Sequence, residues 1–203
     1  MPADSHPLVL ATHNRDKIDE MRQALMSLPV RILTLDDFPQ MPEVDEDGDT
    51  LEANARKKAS VLCEFTGLPA VADDTGLFVT ALNGAPGVFS SRYAGERASY
   101  RENVAKLLRA MSAVPAGKRA AVFKTAVAFA ASPKHLDVVT GECEGSIALS
   151  RVGPGGFGYD PVFIVSGTTR TFAEMTIVEK NVISHRGRAL AALRAFLIDY
   201  WSK

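Results

Sequence analysis

Pro7 to Ala11 is a short apolar run that closes on the polar residues Thr12, His13 and Asn14. After it Ile18, Met21 and Leu25 recur at helical spacing, and Arg31 to Leu35 returns to an apolar stretch. Strand, helix and strand in this order read as the opening βαβ unit of an α/β protein, in which the two strands lie parallel because a helix carries the crossover.

The rest of the chain fits that class. From Asp36 to Thr50 it is acidic and punctuated by prolines and a glycine, too polar for core, and reads as a loop. From Leu51 the residues Ala55, Ala59, Leu62 and Phe65 share a helical face and Thr66-Gly67 supply a stop. Pro69 to Ala72 then reads as a strand that ends at Asp73 and Asp74. Leu77 to Ala81 is expected to be a separate short strand, followed by turns over Asn83 to Gly87 and the stretch Val88 to Tyr93. Tyr100 to Met111 has helical spacing through Val104, Leu107, Leu108 and Met111. Arg119 to Ala131 and Leu136 to Leu149, joined by Ser132-Pro133-Lys134, read as long paired strands. Gly153 to Gly158 is expected to lead through a tight loop into a strand over Tyr159 to Val165. Ser184 is expected to cap a final helix through Leu190, Leu193 and Leu197.

With 203 residues and a formal net charge of −1, the chain can bury a full core and offers no polybasic surface for nucleic acid. It reads as a single domain over residues 1–203, with residues 1–6 a short disordered lead-in that lacks the charge and apolar run of a secretory signal. Cys63 and Cys143 have no metal-ligand spacing, so reduced thiols and a cytoplasmic protein are expected. The most apolar stretch, Ala120 to Ala131, is interrupted by Lys124 and is shorter than the roughly 20 residues of a membrane helix.

Four groups of residues carry chemistry. Thr12-His13-Asn14-Arg15-Asp16-Lys17 lies where a strand feeds a helix, whose free N–H groups favour anions, although an Asn N-cap beside a solvated lysine reads equally well. Asp73-Asp74-Thr75-Gly76 places two carboxylates after an apolar strand. A hard cation such as magnesium takes one or two carboxylates plus phosphate oxygens, and a plain turn is the alternative. Adjacent strand residues face opposite ways, so one aspartate would ligate and the other support it. The loop carboxylates Asp45, Glu46 and Asp47 are candidates for a second ligand, with a solvated charge run as the plainer reading. Asn54 and Lys58 share one face of the following helix at i, i+4.

The third group is Gly153-Pro154-Gly155-Gly156-Phe157-Gly158-Tyr159-Asp160. Its glycines let backbone approach a flat ligand on which Phe157 can stack, and a β-bulge or hairpin loop is the alternative. The fourth is Lys180-Asn181-Val182-Ile183-Ser184-His185-Arg186-Gly187. Positive groups at a helix N-terminus oppose the macrodipole and suggest a bound anion or ring acceptor, with a surface Arg-His pair as the plainer reading.

Together these segments closely resemble the inosine triphosphate pyrophosphatase family, the Ham1-like or RdgB-like dITP/XTP pyrophosphatases. The matching stretches are Leu8 to Lys17, Gly48 to Ala59, Val71 to Gly95 (VADDTGLFVTALNGAPGVFSSRYAG), Gly155 to Val165 (GGFGYDPVFIV) and Thr171 to Leu190, ending KNVISHRGRAL. Thr75 stands where members usually have serine, and Ala53 separates Glu52 from Asn54, which leaves Glu52 without a role.

The resemblance implies an elongated α/β fold with a central twisted mixed sheet flanked by helices, two lobes with a nucleotide cleft between them, and a homodimer. It implies hydrolysis of ITP, dITP and XTP to nucleoside monophosphate and pyrophosphate with Mg2+ as cofactor. Thr12, His13, Asn14, Arg15, Asp16 and Lys17 would hold the triphosphate, Lys58 would support the phosphates, and Thr75 would touch substrate. Asp74 would be the catalytic carboxylate and a metal ligand, with Asp45 or Glu46 as the other ligand and Asp73 and Asn54 in support. Phe157, Gly158, Tyr159 and Asp160 would enclose the base, and Lys180, His185 and Arg186 would complete its pocket. Backbone N–H groups near Tyr159 and Asp160, together with His185 and Arg186, are the expected donors to a 6-keto oxygen. A phosphatase, a nucleotidyl transferase and a nucleotide sensor are the competing readings.

Overall fold

β1 (His6–Leu10), α1 (Arg15–Leu25) and β2 (Val30–Thr34) form the βαβ unit, with β1 parallel to β2 in register from His6 opposite Val30 to Leu10 opposite Thr34. The structure is a computed structural model and describes residues 5–202; Met1 to Asp4, which hold most of the expected lead-in, and Lys203 lie outside the described residues. His6, expected in that lead-in, is instead the first residue of β1 and stacks on Trp201 with ring centroids 4.9 Å apart. Asn14 starts α1 by accepting from the N–H groups of Asp16 and Lys17, which satisfies donors that the first turn leaves orphaned.

Next comes α2 (Leu51–Thr66), capped by Thr50, whose side chain accepts from Ala53 N, and closed by Gly67 at φ 67°, a left-handed conformation that glycine adopts without strain. Phe65 was expected on its buried face but is 45% exposed. The i, i+4 row through Ala55 and Ala59 runs instead to Cys63, which is buried.

β3 (Ala70–Val79) departs most from expectation. It is one strand of ten residues running straight through Asp73, Asp74 and Thr75, not two strands broken at the aspartates. Buried carboxylates are tolerated in a strand when each meets a cation or hydrogen-bond donor, and these do. Beyond it, Asn83 at φ 53° and Gly84 at φ 88° turn the chain into β4 (Pro86–Gly87), antiparallel to β3. α3 (Tyr100–Ala110) starts at a Ser99–Glu102 capping box. It is followed by the long strands β5 (Ala120–Ser132) and β6 (His135–Ile147).

The segment Tyr159 to Val165 is not one strand. Residues 160–162 form a helical turn, with Pro161 inside it, and only β7 (Phe163–Val165) pairs with β6. α4 (Ile177–Ile183) was not foreseen either, although Thr176 and Glu179 build a capping box at its start. Ser184, with extended backbone, separates it from α5 (His185–Trp201). The sheet order is β2-β1-β3-β5-β6-β7 with β4 beside β3, seven strands in parallel and antiparallel pairs. With five α-helices among the described residues, this is the expected mixed-sheet α/β class.

The chain divides into two compact units. One runs up to Asp74 and takes in residues 125–141 and the chain from Gly187 on; the other comprises Thr75–Lys124 and Glu142–Arg186. Each has its own core. In the first, Leu8, Leu10, Met21, Leu25, Val71, Phe129 and Leu193 are buried together. In the second, Leu77, Leu107, Phe123, Tyr159, Phe163 and Phe172 are.

Within the second unit the buried Arg119 ties the end of α3 to the end of β6. Its guanidinium donates to the carbonyls of Met111 (2.7 Å), Val114 (2.9 Å), Ile147 (2.8 Å) and Ala148 (3.0 Å). Arg119→Ala leaves these carbonyls without their donor and is expected to lower the unfolding free energy in urea by about 3 kcal/mol. Exposed Lys118→Ala should change it by less than about 0.5 kcal/mol. Equal losses for the two would show that the guanidinium is not what joins these ends.

Candidate active site

In the first unit a group of acids and lysines gathers around β3. Lys17, in the first turn of α1, meets the buried Asp73 carboxylate at 2.9 and 3.1 Å. Lys58 Nζ lies 2.5 Å from Glu46 Oε1 and 3.9 Å from Asp74 Oδ1, and donates to the Asp73 carbonyl at 2.6 Å. Asn54, one helical turn before Lys58, donates from Nδ2 to Asp74 Oδ2 at 2.9 Å and accepts the Gly48 N–H on Oδ1 at 2.8 Å.

Burial pushes the Asp74 carboxyl up from its ordinary range, and the neighbouring charge of Glu46 adds to it, against the opposing pull of Lys58, Asn54 and Lys17. Burial by itself would make Lys58 easier to deprotonate, but Asp74, Glu46 and Asp73 outweigh it and raise its pKa. Lys58 therefore stays an ammonium at neutral pH. Two carboxylates share this one ammonium, so the group keeps surplus negative charge and presents hard oxygen donors, as a divalent cation such as magnesium requires. Among the described residues no three His, Cys, Asp or Glu come together to hold a metal.

In the second unit the glycine-rich loop folds over Asp160. The Asp160 carboxylate accepts from Phe157 N at 2.9 Å and from Lys180 Nζ at 2.7 Å, with both charged groups buried. Lys180 Nζ stands 4.4 Å from the centre of the Phe157 ring and the Arg186 guanidinium 5.4 Å, both in cation–π range. Arg186 donates from Nη2 to Thr75 Oγ1 at 3.1 Å, and Thr75 follows Asp74 directly in β3. His185 stacks on Phe123 with centroids 4.4 Å apart and planes 13° from parallel.

Residues 8–196 match the model of the Ham1 family. The chain belongs to that family. A dITP/XTP pyrophosphatase of Geobacter sulfurreducens is 50% identical to it over 190 residues, covering 94% of this chain and 96% of that protein. A dITP/XTP pyrophosphatase of Lactiplantibacillus plantarum is 48% identical, covering 97% of this chain and 96% of its own length. The solved structure of a HAM1 protein from Coxiella burnetii gives a TM-score of 0.88 at 42% identity, over 96% of this chain and 99% of that one.

Several of the expected residues in this Ham1 chain do something more specific than their motifs suggest. Thr12 Oγ1 accepts the Asn14 N–H and Asn14 caps α1, while His13, Arg15 and Asp16 are exposed. Glu46 reaches Lys58, whereas Asp45 is exposed. Asp73 acts on the lysines, through its carboxylate on Lys17 and its carbonyl on Lys58.

Tyr159 is buried and donates its hydroxyl to Ser90 O at 2.9 Å, and burial pushes that phenol up. The Asp160 N–H is not open to a base, because it closes the turn onto Phe157 O at 3.1 Å. This removes one of the two backbone donors expected there. Gly158, at φ 57°, completes the same turn. Glu52 is an exposed acid in the first turn of α2, where the helix dipole favours it.

Two residues escaped the sequence reading. Tyr100 sits with its ring 6.1 Å from Phe157, and nothing in its surroundings marks it as more than a helix start. Ser90 accepts the Leu77 N–H at 2.8 Å and donates to Gly87 O at 2.6 Å, and its carbonyl takes Tyr159.

Because the folded state raises the Asp74 pKa, ionised Asp74 costs stability. The cost is absent below the ordinary carboxylate range and grows as pH rises through the raised value. Asp74→Asn in chelator-containing buffer is therefore expected to raise the thermal midpoint by a few degrees at pH 7, a gap that closes as pH falls below that range. A lower midpoint for the variant at pH 7 would show that attraction to Lys58 outweighs burial.

Proposed function

We propose that this chain hydrolyses non-canonical purine nucleoside triphosphates, dITP, XTP and ITP, to the monophosphate and pyrophosphate in a magnesium-dependent reaction. The observation that carries the reading is the buried Asp74 sharing the Lys58 ammonium with Glu46. The names of the relatives at half identity supply the substrate class.

In this reading water attacks the α-phosphorus, the bond to the bridging α–β oxygen breaks, and pyrophosphate leaves with that oxygen. Asp74, its basicity raised by burial, orients the water and accepts its proton. Lys58 and Lys17, each fixed by an acid, face the charge growing on the leaving group. Asp74 and Glu46 would hold magnesium, which when bound neutralises phosphate charge and lowers the pKa of bound water. No covalent nucleophile is needed.

Phe157 is the stacking platform for the base, and the two cations on its ring leave it suited to an electron-rich purine. Lys180, His185 and Arg186 carry only donors or donor-capable nitrogens. They satisfy a 6-keto oxygen and oppose the 6-amino group of adenine, whose binding would leave a buried donor unpaired.

The test is a magnesium assay across dITP, XTP, ITP, GTP and ATP with pyrophosphate detected. One pyrophosphate per substrate is expected, with dITP, XTP and ITP favoured over ATP by about 100-fold or more in kcat/KM. Asp74→Asn should lower kcat by at least about 100-fold. Release of inorganic phosphate alone would sink the pyrophosphatase reading, equal rates on ATP and ITP would remove the selectivity, and full turnover by Asp74→Asn would move the catalytic centre elsewhere.

A cytoplasmic homodimer belongs to the same proposal. Among the described residues no helix is long and apolar enough to cross a membrane. Light scattering on the purified protein is expected to give twice the mass of the chain, and a monomer mass across the micromolar range would refute the dimer.

A further inference from the structure

Asn54, Lys57 and Lys58 leave neighbouring positions of α2, and each fastens one residue of the acidic loop that precedes the helix. Lys58 takes Glu46, Lys57 takes Asp47 at 2.7 Å, and Asn54 takes the N–H of Gly48. The three consecutive loop residues are thus held in reverse order along one helix. Two of the three holding residues, Asn54 and Lys58 at i, i+4, also reach β3. Of these, only Asn54 does so through a rigid planar amide.

We propose that Asn54 is a positioning residue that fixes the register of Glu46 against Asp74; the inference rests on the pyrophosphatase reading for what that register serves. Its orientation follows from its partners. Gly48 N can only donate, so it faces Oδ1, which turns Nδ2 to Asp74. The amide is 1% exposed and spans loop and strand in one step. There is no slack on the loop side, because a Cβ on Gly48 would stand 2.7 Å from Asn54 Oδ1 and 3.0 Å from Ala53 Cβ. A displaced amide therefore moves the Asp74 carboxylate and the loop together.

The neighbouring contacts cannot substitute for it. Lys58 is a point charge on a flexible stem that tolerates a range of distances, 3.9 Å to Asp74 among them. The Lys57–Asp47 pair is partly solvated and holds the loop weakly. An aspartate at position 54 would lose the donor and face Asp74 with a like charge, so only an amide of this length satisfies both sides.

The experiment uses the full chain in three variants, Asn54→Ala, Gly48→Ala and Lys57→Ala. Each is followed by magnesium titration calorimetry without nucleotide and by steady-state pyrophosphate release from dITP. Asn54→Ala is expected to weaken magnesium binding by about 10-fold or more and to lower kcat by about 10- to 100-fold, as loss of a partner that orients a metal ligand does. At saturating magnesium KM for dITP should stay within about twofold, because no contact to substrate is removed. Gly48→Ala should give the same pattern in smaller measure, and Lys57→Ala should leave both readouts at the wild-type value.

A folded Asn54→Ala protein with a lower thermal midpoint but wild-type magnesium affinity and kcat would overturn the proposal, since that is what a merely structural role predicts. If Asn54→Ala does not fold, Gly48→Ala decides, and unchanged magnesium affinity and kcat there overturn it equally. A wild-type protein that takes up no magnesium in the calorimeter also overturns it. Absence of pyrophosphate from dITP with wild-type protein defeats the pyrophosphatase reading instead, and the calorimetry still decides for or against Asn54.

Discussion

The ammonium of Lys58 is the charge on which the site around β3 depends. Burial disfavours it, and three acids keep it charged. It answers Glu46 and Asp74 with its charge and the Asp73 carbonyl with a hydrogen bond, all from one atom. A strand that carries two adjacent aspartates into a sheet would otherwise bury uncompensated charge, whose cost runs to several kcal/mol per ion. With Lys17 on Asp73 and Lys58 beside Asp74 the strand continues, and its second half supplies Leu77 and Val79 to the core of the other unit. Chemistry and fold are therefore joined at the same residues.

The glycine-rich loop solves a related problem by a different route. Asp160 and Lys180 are buried as a matched pair, so that group needs no outside charge to be neutral. The pair shapes the loop, since the same carboxylate accepts the Phe157 N–H and the same ammonium faces the Phe157 ring. Tyr159 and His185 then hold their positions by Ser90 and Phe123, one polar contact and one stacking contact. The loop is thus fixed through Asp160, Lys180 and Tyr159.

How far these features could be read beforehand depended on the range of the interactions that make them. Asn14 as an N-cap, Gly67 as a C-cap and the parallel β1–β2 pair were legible because each rests on a few neighbouring residues. The unbroken β3 was not, because aspartate has low strand propensity and its tolerance here comes from Lys17, 56 residues away, and from Lys58. The loop at Asp160 was misread as strand for a similar reason, its carboxylate being held by Lys180 at a separation of 20 residues. In α4, exposed Val178 and Val182 give no buried stripe, so only the Thr176–Glu179 box marks the helix. That Glu46, and not Asp45, meets Lys58 is likewise a contact that spacing does not reveal.

The two groups differ in net charge, and that difference bears on binding. Around β3, Glu46 and Asp74 outnumber the single ammonium they share, whereas Asp160 and Lys180 cancel. A triphosphate, itself a polyanion, is repelled by the first group unless positive charge arrives with it. In the magnesium-dependent reading proposed above, substrate affinity and divalent-cation affinity are then linked, and by thermodynamic reciprocity each strengthens the other. The Asp160–Lys180 pair, being balanced, makes no such demand on a cation. In that reading the surplus negative charge that costs the fold stability around Asp74 is the same charge that would attract the cation.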